Sequence, residues 1–212
     1  WNVKLMHIKV FQSTGQGNAT TIADGVEYAS SNGATIINMS FGSYAESSTL
    51  RLVLENAYVT SILVAAAGND KFTIAPFPSY PAAYNYVLGV EDAAGYSNFD
   101  QDGPVYSSYL TLLNYELIAP GTAIMSTIPG GGYNTLTGTS MSAPLVSGAM
   151  ALYNQQNPEY SKELMFGNLI NTSGSTYVDF LAAIEAEPVP KLAVLNNILR
   201  DTINSQNGNG FW

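Results

Sequence analysis

The chain has no cysteine. Disulfides and thiolate metal sites are therefore excluded, while the compartment stays open. Charge is scarce too: charged residues make up 11% of 212, with seven Lys plus Arg against sixteen Asp plus Glu. A net charge of −9 argues against a nucleic-acid partner, whose phosphates need a basic patch. No uninterrupted apolar run reaches about 18 residues, so no membrane span is expected. There is one histidine, His7, and the sequence opens on Trp1 rather than Met. The expectation is that the natural start lies upstream, or that the segment was cut out of a longer chain. What is present is a 46% hydrophobic composition, enough for one compact domain with a real core.

One stretch organises the rest: Gly138-Thr139-Ser140-Met141-Ser142-Ala143-Pro144, followed by Leu145 to Tyr153. Ala143, Val146, Ala149, Met150 and Tyr153 recur at helical steps. Ser140 is thus expected at the N-terminal end of a buried helix, where unpaired N–H groups and the positive end of the helix dipole gather. That place suits a negative charge developing on a substrate oxygen. Ser is also a preferred N-cap, so a purely structural role for Ser140 stands beside the catalytic one.

The longer string GTSMSAPLVSGAMAL resembles the nucleophile segment of the subtilisin-like serine proteases, the subtilases. The resemblance implies that Ser140 is the nucleophile. Leu145 stands where the family often has a His that is not part of the triad. Ile36 to Gly42 resembles the segment whose Ser-x-Gly backbone lines the first substrate pocket, which implies substrate contacts at Ser40, Phe41 and Gly42. Ala66-Ala67-Gly68-Asn69-Asp70 resembles the segment that supplies the oxyanion side chain. Asn69 is then the donor, with Ala67 and Gly68 beside the substrate. Read alone, Asn69 is a turn residue after a strand. Ala75 to Tyr84 resembles the family's Tyr-Pro-Ala run and implies Ser79 near the base of the first specificity pocket. A small residue there leaves room for a medium or large apolar side chain. A structural calcium or sodium site is implied at the carbonyls of Ala82 and Tyr84 with Glu116, since hard cations prefer oxygen donors; an ordinary solvated Glu116 is the alternative.

Along the chain, strands are expected over 3–11, 34–39, 61–67, 86–90 and 124–128, and helices over 21–31, 50–57, 161–171 and 179–186. Asn32-Gly33 ends the first helix, and Ser47 or Ser48 caps the second. Strand and helix alternation predicts an α/β fold with a parallel sheet; the resemblance implies the three-layer form, a parallel sheet flanked by helices, subtilisin-like and incomplete at the N-terminal side. Function in such sheets gathers at the carboxyl ends of the strands. Residues 100–114 read as a surface insertion. The catalytic portion is expected to span 1–187, with 188–212 a tail or the start of a further module.

A serine hydroxyl needs a base, and the base an orienting carboxylate. In subtilases these come from D-[ST]-G and H-G-T-H segments, and this sequence contains neither. His7 matches a strand position after the family's catalytic His and is expected to be a sheet residue. The family's Asp-bearing strand would lie between 3–11 and 35–39. Removing it would leave two edges with unpaired groups, at roughly 1–3 kcal/mol for each buried one. The resemblance therefore implies a separate N-terminal fragment that carries Asp and His. Two functions remain: a serine-type endopeptidase acting on peptide or protein substrates, nearly inactive as this chain alone, or a pseudoprotease that binds peptides without turnover. The family and the lysine-poor, acidic composition imply secretion or cell-surface display.

Overall fold

The computed structural model describes residues 2–74, 76–84, 86–99, 115, 117–173 and 178–185. Helix α1 spans Ala19–Ser31 and starts at Asn18, whose side chain accepts from the Thr21 N–H. Gly33 closes it at φ 84°, a left-handed conformation that glycine adopts without a Cβ clash. Strand β1, Ile36–Met39, leads to α2, Ser48–Tyr58, capped by the Ser47 hydroxyl. Strands β2, Ile62–Ala66, β3, Leu88–Glu91, and β4, Leu117–Ile118, follow. The four strands form one parallel sheet in the order β1-β2-β3-β4. Strands β5, Ile124–Thr127, and β6, Tyr133–Leu136, make a separate antiparallel hairpin. Helices α3, Thr139–Gln156, α4, Lys162–Ser173, and α5, Phe180–Glu185, complete the described chain.

Strand β2 is buried throughout because the sheet is covered on both sides. Leu63, Ala65 and Ala67 join the core with Val26 and Ala29 of α1 and Leu54 of α2. Ile62, Val64 and Ala66 join the opposite core with Val146 and Met150 of α3 and Leu169 of α4. Alternation along one strand thus feeds two cores and gives the three-layer α/β architecture.

Three expectations need correction. Residues 3–11 are no strand: the segment joins no β-ladder, and Val3, Leu5 and Met6 are exposed. Its inner side chains, Ile8, Val10 and Phe11, pack against the α1–α2 core. Apolar alternation supplies a face to bury, whereas a strand also needs a neighbour for its N–H and C=O groups. His7 is consequently an exposed residue of an unladdered segment, not a sheet residue. The continuous apolar run at 34–39 is typical of a strand buried on both faces, but β1 is not buried that way. It pairs only with β2 among the described residues, and Asn38 is exposed. Residues 100–114, Glu116 and 186–212 lie outside the described residues, and with them the expected insertion and tail.

Candidate active site

The site forms where the carboxyl ends of β1 and β2 meet the first turn of α3. Gly138 is the N-cap residue of α3 and has no side chain to cap with. Its own N–H donates to Gly121 O at 2.9 Å. The Gly121 N–H in turn donates to buried Asp92 Oδ1 at 3.0 Å, and Asp92 Oδ2 accepts from Thr122 Oγ1 and the Tyr96 hydroxyl. Asp92 thereby anchors the loop on which the start of α3 rests.

Thr139 aligns the amide of Asn69. Both its N–H and its hydroxyl donate to Asn69 Oδ1, at 2.9 and 3.2 Å. The same hydroxyl oxygen accepts from the Gly68 N–H at 3.0 Å. With Oδ1 held by two donors, the Asn69 Nδ2 group is the one left to donate elsewhere. It lies beside Gly138, where a Cβ would come within 3.2 Å of Nδ2. Asn69 itself is exposed, at the mouth of the β2 end.

Ser140 is half-buried next to Thr139. Its Oγ donates to Ser40 O at 3.1 Å, and the Ser40 hydroxyl donates back to Ser140 O at 3.0 Å. The second bond has a cause in the sequence. Pro144 sits four residues after Ser140 inside α3 and has no N–H, so Ser140 O loses its helical donor. The Ser40 hydroxyl replaces it. Asn38 Nδ2 supports that hydroxyl at 2.9 Å, and Ser147 Oγ lies 3.0 Å from Asn38 Oδ1. The end of β1 is in this way stitched to α3 through polar side chains.

Ser40, Phe41 and Gly42 continue from β1 past this stitch. A Cβ on Gly42 would stand 2.6 Å from Ser79 Oγ, so Ser79 lies directly beneath it. Ser79 is buried, its N–H donating to the Tyr115 hydroxyl at 3.0 Å, and Ser43 and Tyr80 exchange two backbone bonds of 2.8 Å beside it. Ala67 is buried, and Gly68 has φ 106°, a conformation strained for any residue with a Cβ. All eight expected site residues thus gather around the ends of β1 and β2. Ala82 and Tyr84 are buried, but the third oxygen donor of the expected cation site, Glu116, lies outside the described residues.

Sequence reasoning missed Thr139, Asn98 and Tyr44. Thr139 stands within the quoted motif, yet nothing local reveals that it reaches Asn69. Asn98 and Tyr44 flank Asp70: Asn98 Oδ1 accepts from the Asp70 N–H, and the Tyr44 hydroxyl donates to Asp70 Oδ2. Burial, and after it the neighbouring Asp70 carboxylate, pushes the Tyr44 hydroxyl pKa up, with the Asn98 hydrogen bond acting against both.

A parallel α/β sheet with a serine at a helix N-terminus beside an oriented amide defines a class of candidate hydrolases. The Subtilase family profile matches residues 1–210, and the chain belongs to the subtilase family. Alkaline elastase YaB of Bacillus sp. (strain YaB) is 36% identical over 172 residues, 81% of this chain and 43% of that protein. Subtilisin Savinase of Lederbergia lenta is 35% identical over 189 residues, 88% of this chain and 67% of that protein. Among solved structures, proteases from Pseudoalteromonas arctica superpose with a TM-score of 0.68 at 29% identity, covering 79% of this chain and 58% of theirs. The chain therefore spans less than half the length of alkaline elastase YaB.

Proposed function

We propose that this chain supplies the nucleophile, the oxyanion donor and the substrate cleft of a serine endopeptidase. The carrying observation is the Thr139 clamp, which leaves the Asn69 Nδ2 group free beside the start of α3. Substrate lies along Ser40, Phe41 and Gly42 as an added strand, with its side chain directed at the pocket over Ser79. Ser140 Oγ attacks the peptide carbonyl carbon while a base takes its proton. The C=O electrons move onto oxygen, and Asn69 Nδ2 and the Ser140 N–H stabilise that charge. Collapse expels the amine, which takes up the proton, and leaves an acyl-Ser140; water then releases the acid and restores the hydroxyl.

The base and its carboxylate belong, in this proposal, to an N-terminal segment carrying D-[ST]-G and H-G-T-H. Two observations support it. The sole histidine is exposed on the unladdered 2–11 segment. The outer edge of β1 is unpaired among the described residues, and an open edge is a template for another strand. Without the base, the chain alone retains little activity. Its hydroxyl proton is engaged by Ser40 O instead. The same contact favours the second reading, a scaffold that binds extended peptides without turnover. A structural calcium or sodium ion on Ala82, Tyr84 and Glu116 belongs to the proposal as well, since the donor set is all oxygen; chelation should then lower the melting temperature. Export to the cell exterior completes the reading.

Mass analysis of the purified protein for a bound peptide with both motifs tests the missing segment. Fluorophosphonate labelling of Ser140 in the completed assembly separates the two functions: no adduct there contradicts the peptidase. In that assembly Asn69→Ala should slow turnover about 10²–10³-fold with the fold intact, a loss of the size subtilisin shows.

A further inference from the structure

We infer that Asn98 is a positioning residue that holds the oxyanion donor Asn69 in register with Ser140. The inference rests on the proposed role of Asn69. Leaving β2, the chain turns through Gly68 at φ 106° and Lys71 at φ 61°. Two left-handed residues in so short a loop need outside support, and for Lys71 the conformation is costly.

Asn98 provides that support from the strand-like segment opposite. It is fully buried. Its Oδ1 accepts from the N–H groups of Asp70 and Phe72, both at 3.0 Å. Its Nδ2 donates to Ala67 O and to the Tyr44 hydroxyl, both at 2.9 Å. The side chain thus uses all four of its ordinary bonding positions. Three of them fix backbone groups on either side of Asn69. The Asn98 N–H adds a 2.8 Å bond to Gly68 O. A Cβ on Gly68 would overlap Asn98 Nδ2, so the absence of a side chain there is what admits the clamp.

Asn69 stands within this loop and, among the described residues, is tied to α3 through Thr139. Thr139 sets the direction of the amide, and Asn98 sets its distance from the helix. Tyr44 extends the arrangement to Asp70, whose carboxylate accepts from the tyrosine hydroxyl. If Asn98 were lost, Ala67 O and the two N–H groups would be free to take other partners, and the loop would wander. Sub-ångström control of a donor matters because misplacement by about 1 Å can cost 10²-fold.

The test is a double-mutant cycle on the full chain in its assembled form, with phosphonylation of Ser140 by a fluorophosphonate as the rate. Asn98→Ala should slow it about 10–10²-fold and should add less than about twofold when Asn69 is already Ala. Tyr44→Phe, which removes one hydroxyl at a partly exposed site, should give a smaller loss with the same dependence on Asn69, and it serves where Asn98→Ala fails to fold. Equal losses with and without Asn69 overturn the inference, as does an unchanged rate. A wild-type rate indifferent to Asn69→Ala removes instead the underlying role of Asn69. If wild type does not react at all, the peptidase reading fails but the clamp remains testable by nuclear magnetic resonance. Either variant should broaden or shift the Asn69 side-chain amide and the Thr139 N–H, and unchanged signals refute the clamp.

Discussion

Replacing Gly121 by Ala should damage the site from below, by steric overlap rather than backbone strain. Gly121 is buried, and its N–H and C=O connect Asp92 to Gly138. A Cβ there would overlap Ser142 Oγ, stand 2.7 Å from Gly138 O and 3.0 Å from Asp92 Cγ. Overpacking of this kind costs about 1–3 kcal/mol. Displacing Gly138 puts a backbone bond at risk, worth about 0.5–1.5 kcal/mol. A loss of about 1.5–4.5 kcal/mol follows from these two terms. Ser142 makes the prediction sharper. Its buried hydroxyl has no hydrogen-bond partner among the described residues, so Ser142→Ala alone should be neutral or stabilising by about 1 kcal/mol. In the Gly121→Ala background it also removes the worst overlap and should restore about 1 kcal/mol more than it adds to the wild type, a coupling that additivity forbids. Gly138 O remains in the way, so recovery stays incomplete. Gly148→Ala is the control: nothing lies within 4 Å of its Cβ position on α3, and it should stabilise by about 0.5–1 kcal/mol. Urea unfolding with matched m-values measures all four. Gly121→Ala as stable as wild type, or strictly additive with Ser142→Ala, would refute the reasoning.

Thr139→Val keeps the shape but leaves the Gly68 N–H without its acceptor; stability should fall by about 1–3 kcal/mol, and the Asn69 amide should lose one of its two anchoring donors, visible as altered amide resonances. The tyrosines set an alkaline limit. Burial first, then the Glu46 carboxylate, raises the pKa of Tyr80 and Tyr84; burial first, then Glu55, raises that of Tyr86. Unfolded tyrosines lose their protons near pH 10, so above that pH the unfolded state binds fewer protons and stability falls as pH rises. Urea midpoints should be flat with respect to these groups below about pH 9 and decline by about pH 11. A midpoint that rises through this window would contradict the assignment.

Much of the site was legible because it rests on short motifs. The helical spacing after Ser140 correctly announced α3, and the apolar run at 61–67 announced β2, since each property is local. Gly33 and Ser47 behaved as cap residues for the same reason. What was not legible depends on partners far along the chain. Asn98 reads as an ordinary loop residue until Gly68, Asp70 and Phe72 surround it. Residues 3–11 carry strand chemistry but join no ladder, and the alternating pattern says nothing of the missing neighbour. β6 went unseen because Tyr133, Asn134 and Thr135 are all exposed and show no buried face. The bond from Ser40 to Ser140 O could have been anticipated from Pro144, whose ring removes a donor at a known offset, although the identity of the replacement could not.

The central claim is that position 140 holds an acyl-transfer nucleophile served by the amide at position 69. Site-localised mass spectrometry after fluorophosphonate treatment of the assembled protein tests it most directly. The account predicts one adduct, on Ser140, formed much more slowly once Asn69 is Ala. An assembled, folded protein with no adduct at Ser140, or with one that forms equally fast without the Asn69 amide, would contradict it.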